Sequence, residues 1–168
     1  LFAASFLFII LLGAVLLRLP NATYEGISFM DALFTSTSAV CVTGLTVVDT
    51  GATFTLTGQV VLLMLIQVGG IGVMTFTSFF AMSFLSGTSF HDQFMMKNLL
   101  NEASLSDIFR TVVYIILTTF IIEGIGVYLV YMQVQDVAEI DNKLFFALFH
   151  GVSAFCNAGF STLPGNLY

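Results

Sequence analysis

Two segments of the chain share one sequence pattern. Residues 29–46 read FMDALFTSTSAVCVTGLT, and residues 144–161 read LFFALFHGVSAFCNAGFS. Aligned without gaps at a constant offset of 115 positions (147 − 32), the two copies are identical at seven positions. In the first copy these positions are Ala32, Leu33, Phe34, Ser38, Ala39, Cys41 and Gly44. Such an internal repeat predicts one structural unit that the chain uses twice.

Long apolar stretches flank the two copies. Residues 1–17 and 59–90 contain no charged side chain, and residues 111–132 contain only Glu123. A helix that spans a bilayer needs roughly 20 mostly apolar residues. The whole chain is 58% hydrophobic and 8% charged, whereas a soluble domain carries about 25% charge. The sequence therefore predicts an all-α membrane protein in which the first repeated segment lies between two spanning helices and the second follows another.

The repeated segment itself is too short to cross a membrane. Its helical part, about 13 residues, would measure ~20 Å, against ~30 Å for the hydrocarbon core. Ser28 and Asp31 have the spacing of a helix-capping pair, and Gly44 follows the expected helix end. A short helix followed by a loop must return to the side it entered, and such backbone survives at membrane depth only inside protein or beside water. Because two spans separate the copies, both units have the same orientation and surround a central path.

The loop after each short helix is the candidate site. It carries no charged side chain, so it offers mainly backbone carbonyl oxygens, which replace the hydration shell of an alkali cation in selectivity filters. Glycine allows the positive φ that turns carbonyls toward an axis, although both glycines can also act only as helix ends. The candidate filter residues are Val42, Thr43, Gly44, Leu45, Asn157, Ala158, Gly159 and Phe160.

Several further residues invite a functional interpretation. Glu123 is a carboxylate inside a span, so it is expected to attract cations, to pair with a polar group on another helix, or to be protonated. Cys41 and Cys156 are expected to be small residues packed behind the loops rather than a metal or redox pair. Residues 69–72, which read GGIG, are expected to allow close helix packing or a kink, and His150 is expected to cap or pack.

The charged residues lie mostly between the apolar stretches. The loops predicted on the outer side are rich in acid, with Glu25, Asp31, Asp49, Asp136, Glu139 and Asp141. An acidic mouth concentrates cations. No basic block indicates nucleic acid, no Cys/His spacing indicates a transition-metal site, and no hydrolytic motif indicates an enzyme.

The residues quoted above resemble the Ktr/Trk/HKT superfamily of potassium uptake proteins. The resemblance rests on residues 31–50 (DALFTSTSAVCVTGLTVVDT), 67–75 (QVGGIGVMT) and 153–161 (SAFCNAGFS), and it is strongest to the bacterial Ktr membrane subunit. It implies four repeated units around one potassium pathway, with one filter glycine in each, here Gly44 and Gly159. This sequence would supply about the first two of the four.

The resemblance also sets the expected organisation of the chain, in helix–pore loop–helix (M1-P-M2) units. The first unit covers residues 1–85, with a first span at 1–19, a pore helix at 28–41, a filter at 42–46 and a second span at 58–85. A cytoplasmic linker follows at 86–110. A partial second unit covers residues 111–168, with a span at 111–132, a pore helix at 142–155 and a filter at 156–161.

The function implied is potassium uptake across a bacterial cell membrane by a multi-pass protein, sodium-dependent in many members, with no cofactor beyond the transported ion. The implied partners are membrane lipid, a second copy in a homodimer, and a ring of cytosolic nucleotide-binding regulatory subunits. The alternative is a transporter of another class, with inverted repeats and a substrate site at broken helices.

Overall fold

The computed structural model describes residues 2–85, 105–137, 140 and 142–163. Six helices follow one another along this part of the chain: α1 (Phe2–Leu17), α2 (Phe29–Val40), α3 (Thr50–Thr53), α4 (Leu56–Leu85), α5 (Leu105–Val134) and α6 (Lys143–Phe155). The only β pairing among the described residues is an isolated bridge between Thr23 and Phe54. The predicted all-α class is therefore confirmed for the residues described.

Within the described ranges, two helical stretches are long and apolar enough to cross a bilayer. They cover Leu56–Thr75 in α4 and Val112–Val134 in α5. Helix α1 is apolar but shorter, with 16 residues. The repeated segments form α2 and α6, which have 12 and 13 residues, or about 18–20 Å of helix. The short length predicted for both repeated helices is confirmed.

The helix boundaries differ most from the predicted ones at α5. This helix begins at Leu105, so residues 105–110 of the predicted linker are helical, and residues 86–104 lie outside the described part of the chain. The sequence interpretation ended the span where charged residues begin, but helical hydrogen bonding does not require an apolar side chain and continues beyond the hydrophobic stretch. Helix α1 ends at Leu17 and α4 begins at Leu56, each within two residues of its predicted boundary.

The chain divides into two compact units. One comprises Leu1–Gly70 and Ile121–Tyr168, and it contains both repeated helices and the loops that follow them. The other comprises Ile71–Phe120, where Thr119 Oγ1 lies 3.9 Å from Met74 Sδ. All candidate filter residues and Glu123 belong to the first unit.

Small residues bring helix backbones together in the first unit. Helix α1 packs on α2 at Gly13, where an added Cβ would lie 2.4 Å from Ser36 Oγ. Helix α5 packs on α6 at Gly151, where an added Cβ would lie 2.6 Å from Val127 Cγ2. Ser36 and Gly151 occupy the same position of the repeat. At this position of both copies, the short helix therefore packs closely against the helix that precedes it.

Helix α4 approaches the carboxyl ends of both short helices. A Cβ added at Gly69 would lie 2.1 Å from the carbonyl oxygen of Val40, the last residue of α2, and one added at Gly70 would lie 2.5 Å from Cys156 Sγ, just after α6. Of the two roles expected for the glycine run, close packing or a kink, the structure shows close packing.

We expect Gly69→Ala to destabilise the full-length protein by about 1–3 kcal/mol, because the new methyl group would overlap backbone atoms that cannot rotate away. The measurement is the temperature at which heating the detergent-solubilised protein abolishes its monodisperse peak in size-exclusion chromatography. Gly124→Ala is the matched control in α5, since an added Cβ there meets nothing within 4 Å among the described residues. Equal melting of the two variants would contradict the packing role of Gly69.

Candidate functional site

Each repeated helix begins with a side-chain cap. Ser28 Oγ accepts a hydrogen bond from the Asp31 backbone N–H (3.1 Å) and donates one to Asp31 Oδ2 (2.7 Å). Asn142 Oδ1 accepts one from the Phe145 backbone N–H (3.1 Å) at the start of α6. Caps of this type satisfy N–H groups that the first helical turn leaves free. The predicted cap at Ser28 is confirmed, and a different residue type does the same at the second copy.

Each repeated helix also ends in the same backbone turn. In the first copy the Thr43 N–H bonds Ser38 O (2.9 Å) and the Val42 N–H bonds Ala39 O (3.2 Å). This pair of bonds is the Schellman arrangement, which needs a left-handed residue just beyond the cap. Val42 takes that place with φ 54°. A β-branched residue seldom adopts this φ, so the end of α2 holds its backbone in an uncommon conformation.

The second copy repeats this turn with different side chains. The Ala158 N–H bonds Ser153 O (2.7 Å), the Asn157 N–H bonds Ala154 O (3.0 Å), and Asn157 has φ 59°. Two residues further on, Gly44 and Gly159 both have positive φ, at 78° and 67°. The sequence repeat is thus also a repeat of backbone conformation.

The two loops lie against each other through their main chains. A Cβ added at Gly44 would lie 2.6 Å from the Ala158 carbonyl oxygen, and one added at Gly159 would lie 3.4 Å from the Gly44 Cα. A second contact follows along the chain, where a Cβ added at Gly51 would lie 2.3 Å from the Thr162 carbonyl oxygen. The structure therefore brings both predicted glycines next to each other, and backbone atoms of the facing loop are their nearest neighbours.

In the second copy, the carbonyl of Phe160 accepts a hydrogen bond from a buried side chain. Ser153 Oγ donates a hydrogen bond to Phe160 O (2.8 Å), and both residues are buried. Ser38 occupies the equivalent position of the first copy and is also buried, but its Oγ has no hydrogen-bond partner among the described residues. The two copies share a backbone turn but differ in how side chains support it.

His150 is a further support of the second loop. One ring nitrogen, Nδ1, lies 2.9 Å from Phe146 O, and the other, Nε2, lies 2.9 Å from Ser161 Oγ. The same Ser161 oxygen accepts a hydrogen bond from the Leu163 N–H (3.1 Å). Because a carbonyl only accepts, Nδ1 carries the proton toward Phe146. The expectation that His150 has a packing role agrees with these contacts. At the same repeat position, Thr35 is buried and its Oγ1 has no partner in the described part of the chain.

The two cysteines have different surroundings. Cys156 is buried, and its Sγ lies 3.9 Å from Glu123 Oε1. Cys41 is exposed, so the prediction that it packs behind its loop is wrong for the described residues. The long helix that precedes α6 contributes Glu123 behind Cys156, whereas nothing in the described part covers Cys41.

Glu123 is buried beside an amide. Gln67 Nε2 donates to both carboxylate oxygens, at 3.0 Å to Oε1 and 2.9 Å to Oε2. The sequence interpretation named no partner for Glu123. Gln67 was part of the quoted motif QVGGIGVMT, and an amide within an apolar span is the signal that would have identified it. The described residues contain no group of three or more His, Cys, Asp or Glu side chains that can hold a metal ion.

We expect Ser153→Ala and Ser38→Ala to change stability differently, because only Ser153 Oγ makes a hydrogen bond. Ser153→Ala leaves the buried Phe160 carbonyl without its donor and should cost about 1–3 kcal/mol. Ser38→Ala removes a buried hydroxyl that bonds nothing described, so it should be neutral or stabilising. Thermal unfolding of the full-length protein measures both, and a larger loss for Ser38→Ala would refute the asymmetry.

Comparison with known proteins places the chain in a family. Residues 5–167 match the TrkH family of cation transport proteins, so the chain belongs to that family, whose members are membrane transporters and not enzymes. It is 40% identical over 165 residues to the Ktr system potassium uptake protein B of Bacillus subtilis (strain 168) and 43% identical over 164 residues to that of Vibrio alginolyticus. These alignments cover 98% and 97% of the chain, and 37% and 36% of the relatives.

The name of a third relative includes sodium as well as potassium. The chain is 39% identical over 171 residues to the potassium/sodium uptake protein NtpJ of Enterococcus hirae, with 99% of the chain and 38% of the relative covered. The chain thus spans a little over a third of the length of the curated relatives it matches. The resemblance noted from the motifs is confirmed by these matches.

Proposed function

We propose that the protein to which this chain belongs takes up potassium across a bacterial cell membrane through a selectivity filter lined by backbone carbonyls. The observation that carries the proposal is the meeting of Gly44 and Gly159, both at positive φ, at the ends of two short capped helices. Family membership and the names of the relatives support potassium as the transported ion.

The chemistry of the proposed filter is ion dehydration without covalent change. Potassium loses water and binds main-chain oxygens of residues 42–44 and 157–159, together with equivalent oxygens from later units of the full protein. The carboxyl ends of α2 and α6 carry partial negative charge from their last carbonyls, which favours a cation at this place. Leu45 and Phe160 complete the turn, and the Phe160 carbonyl is already bonded by Ser153.

The proposed arrangement consists of helix–pore loop–helix units, with α2 and α6 as re-entrant helices. Helices α1 and α4 enclose the first, α5 precedes the second, and both units enter from the outer side. Exposed acids such as Glu25 and Asp136 then lie at the outer mouth and raise the local cation concentration. The proposal extends to a homodimer, to a cytosolic nucleotide-binding regulatory ring, and to sodium dependence. The name of the Enterococcus hirae relative, a potassium/sodium uptake protein, supports sodium dependence.

Replacing either filter glycine with serine tests the filter. A Ser side chain at Gly44 would overlap the Ala158 carbonyl oxygen. It would also be strained by the backbone φ of 78°, which residues with a side chain rarely adopt. We expect the ratio of rubidium to sodium uptake to fall by about tenfold in Gly44→Ser and in Gly159→Ser, equivalent to ~1.4 kcal/mol of differential binding. Uptake is measured with the complete protein in cells that lack their own potassium import.

Gly26→Ser is the matched control for these two variants. Gly26 also has a positive φ, of 82°, but an added Cβ there meets nothing within 4 Å. It reproduces the backbone strain without touching the loops. Unchanged ratios in both filter variants, or an equal fall in the control, would refute the filter assignment.

Membrane topology separates this proposal from an inverted-repeat transporter. Cysteines placed at Glu25 and at Asp136, in a protein whose exposed Cys41 is replaced by Ser, should both react with an impermeant thiol reagent added from outside intact cells. Both positions are exposed, so reactivity reports the side of the membrane. Labelling of the two positions from opposite sides would support the inverted-repeat class instead.

A further inference from the structure

Glu123 is the one acidic side chain in the apolar stretch 111–132, and it is 3% exposed. Both of its oxygens accept a hydrogen bond from the Gln67 amide, at 3.0 and 2.9 Å. A buried carboxylate is costly unless hydrogen bonds compensate for the water it has lost. The amide of Gln67 is the hydrogen-bond donor to both oxygens, and the contact joins α4 to α5.

The carboxylate also reaches the base of the second loop. Glu123 Oε1 lies 3.9 Å from Cys156 Sγ, within the range of a weak S–H hydrogen bond. Cys156 caps α6 and directly precedes Asn157, the left-handed residue of the turn. On its other side Cys156 meets α4, because a Cβ at Gly70 would lie 2.5 Å from its sulfur. The cluster of Gln67, Glu123 and Cys156 therefore connects α4 and α5 to the residue that precedes the second loop.

The first copy has no equivalent of this cluster. The repeat offset places Phe8 at the position of Glu123 (123 − 115), and Phe8 is 66% exposed. Cys41, at the position of Cys156, is exposed. Glu123 is thus absent from the first copy, and in the second copy it lies beside the residue that precedes the loop.

We propose that Glu123 and Gln67 act as positioning residues for the second filter loop, holding Cys156 and thereby the carbonyls of residues 157–159 at the distance that selects potassium. The inference rests on the proposed function. Because Gln67 engages both carboxylate oxygens and the residue is buried, Glu123 acts through Cys156 rather than by binding the ion itself. Filters discriminate between cations by the placement of their oxygens, and side chains behind a site set that placement.

A set of variants in the full-length protein tests this role, with rubidium and sodium uptake normalised to the amount of protein in the membrane. We expect Glu123→Ala and Gln67→Ala each to lower the rubidium-to-sodium ratio by about fivefold, with the double variant no lower than either single variant, because the two residues act as one pair. The exchange Glu123→Gln with Gln67→Glu restores a carboxylate–amide pair and should recover most of the ratio.

The control is Thr118→Ala in the same helix. Thr118 is exposed, and among the described residues it bonds only the backbone carbonyls of Tyr114 and Ile115, one turn back. Its loss should therefore leave the ratio unchanged. If Glu123→Ala does not reach the membrane, Gln67→Asn, which shortens the amide side chain by one methylene, replaces it and should lower the ratio in the same direction.

The outcomes separate the two proposals. A wild-type protein without potassium-selective uptake would overturn the proposed function itself. A selective wild-type protein whose Glu123 and Gln67 variants lose total flux but keep the wild-type ratio would overturn only the positioning role. The positioning role would also be overturned if the exchanged variant lost as much of the rubidium-to-sodium ratio as Glu123→Gln and Gln67→Glu lose separately, taken together. That result would show that the two residues do not act as a pair.

Discussion

The fold depends on a constraint at the carboxyl ends of two short helices. There the last carbonyls have no helical partner, and the chain must reverse within a few residues while keeping its polar backbone satisfied. It does so with a Schellman turn in each copy, through Val42 and Asn157 in left-handed conformation and glycines two residues later. Helix α4 packs closely at both turns through Gly69 and Gly70, and the two loops lie against each other beyond them.

The two copies share this turn but differ in the side chains that support it. The second copy has a hydrogen bond from Ser153 to the Phe160 carbonyl, a histidine bridge to Ser161, and the buried Glu123 behind Cys156. In the first copy, by contrast, the hydroxyls of Thr35 and Ser38 are buried without partners among the described residues. The backbone conformation of the turn is thus repeated, whereas its side-chain support is not.

Some features followed directly from the amino-acid pattern. The short helices, the Ser28 cap and the close-packing role of the glycine run in α4 were all readable, because each depends on residue type at a fixed spacing. Hydrophobicity did not predict that α5 begins at Leu105, since backbone hydrogen bonding continues past the apolar residues. The exposure of Cys41 was not readable either, because it depends on which helix covers the loop.

The sequence by itself determined that two matched segments, each too short to span a bilayer, sit among apolar helices and end in glycine-containing loops. Local rules of helix capping, chain length and hydrophobicity decide those features. Only the tertiary structure decided that Gly44 and Gly159 meet, that Gln67 is the partner of Glu123, and that Cys156 lies between that pair and the second loop. These contacts join residues that are distant along the chain, so they depend on how helices pack rather than on any local preference.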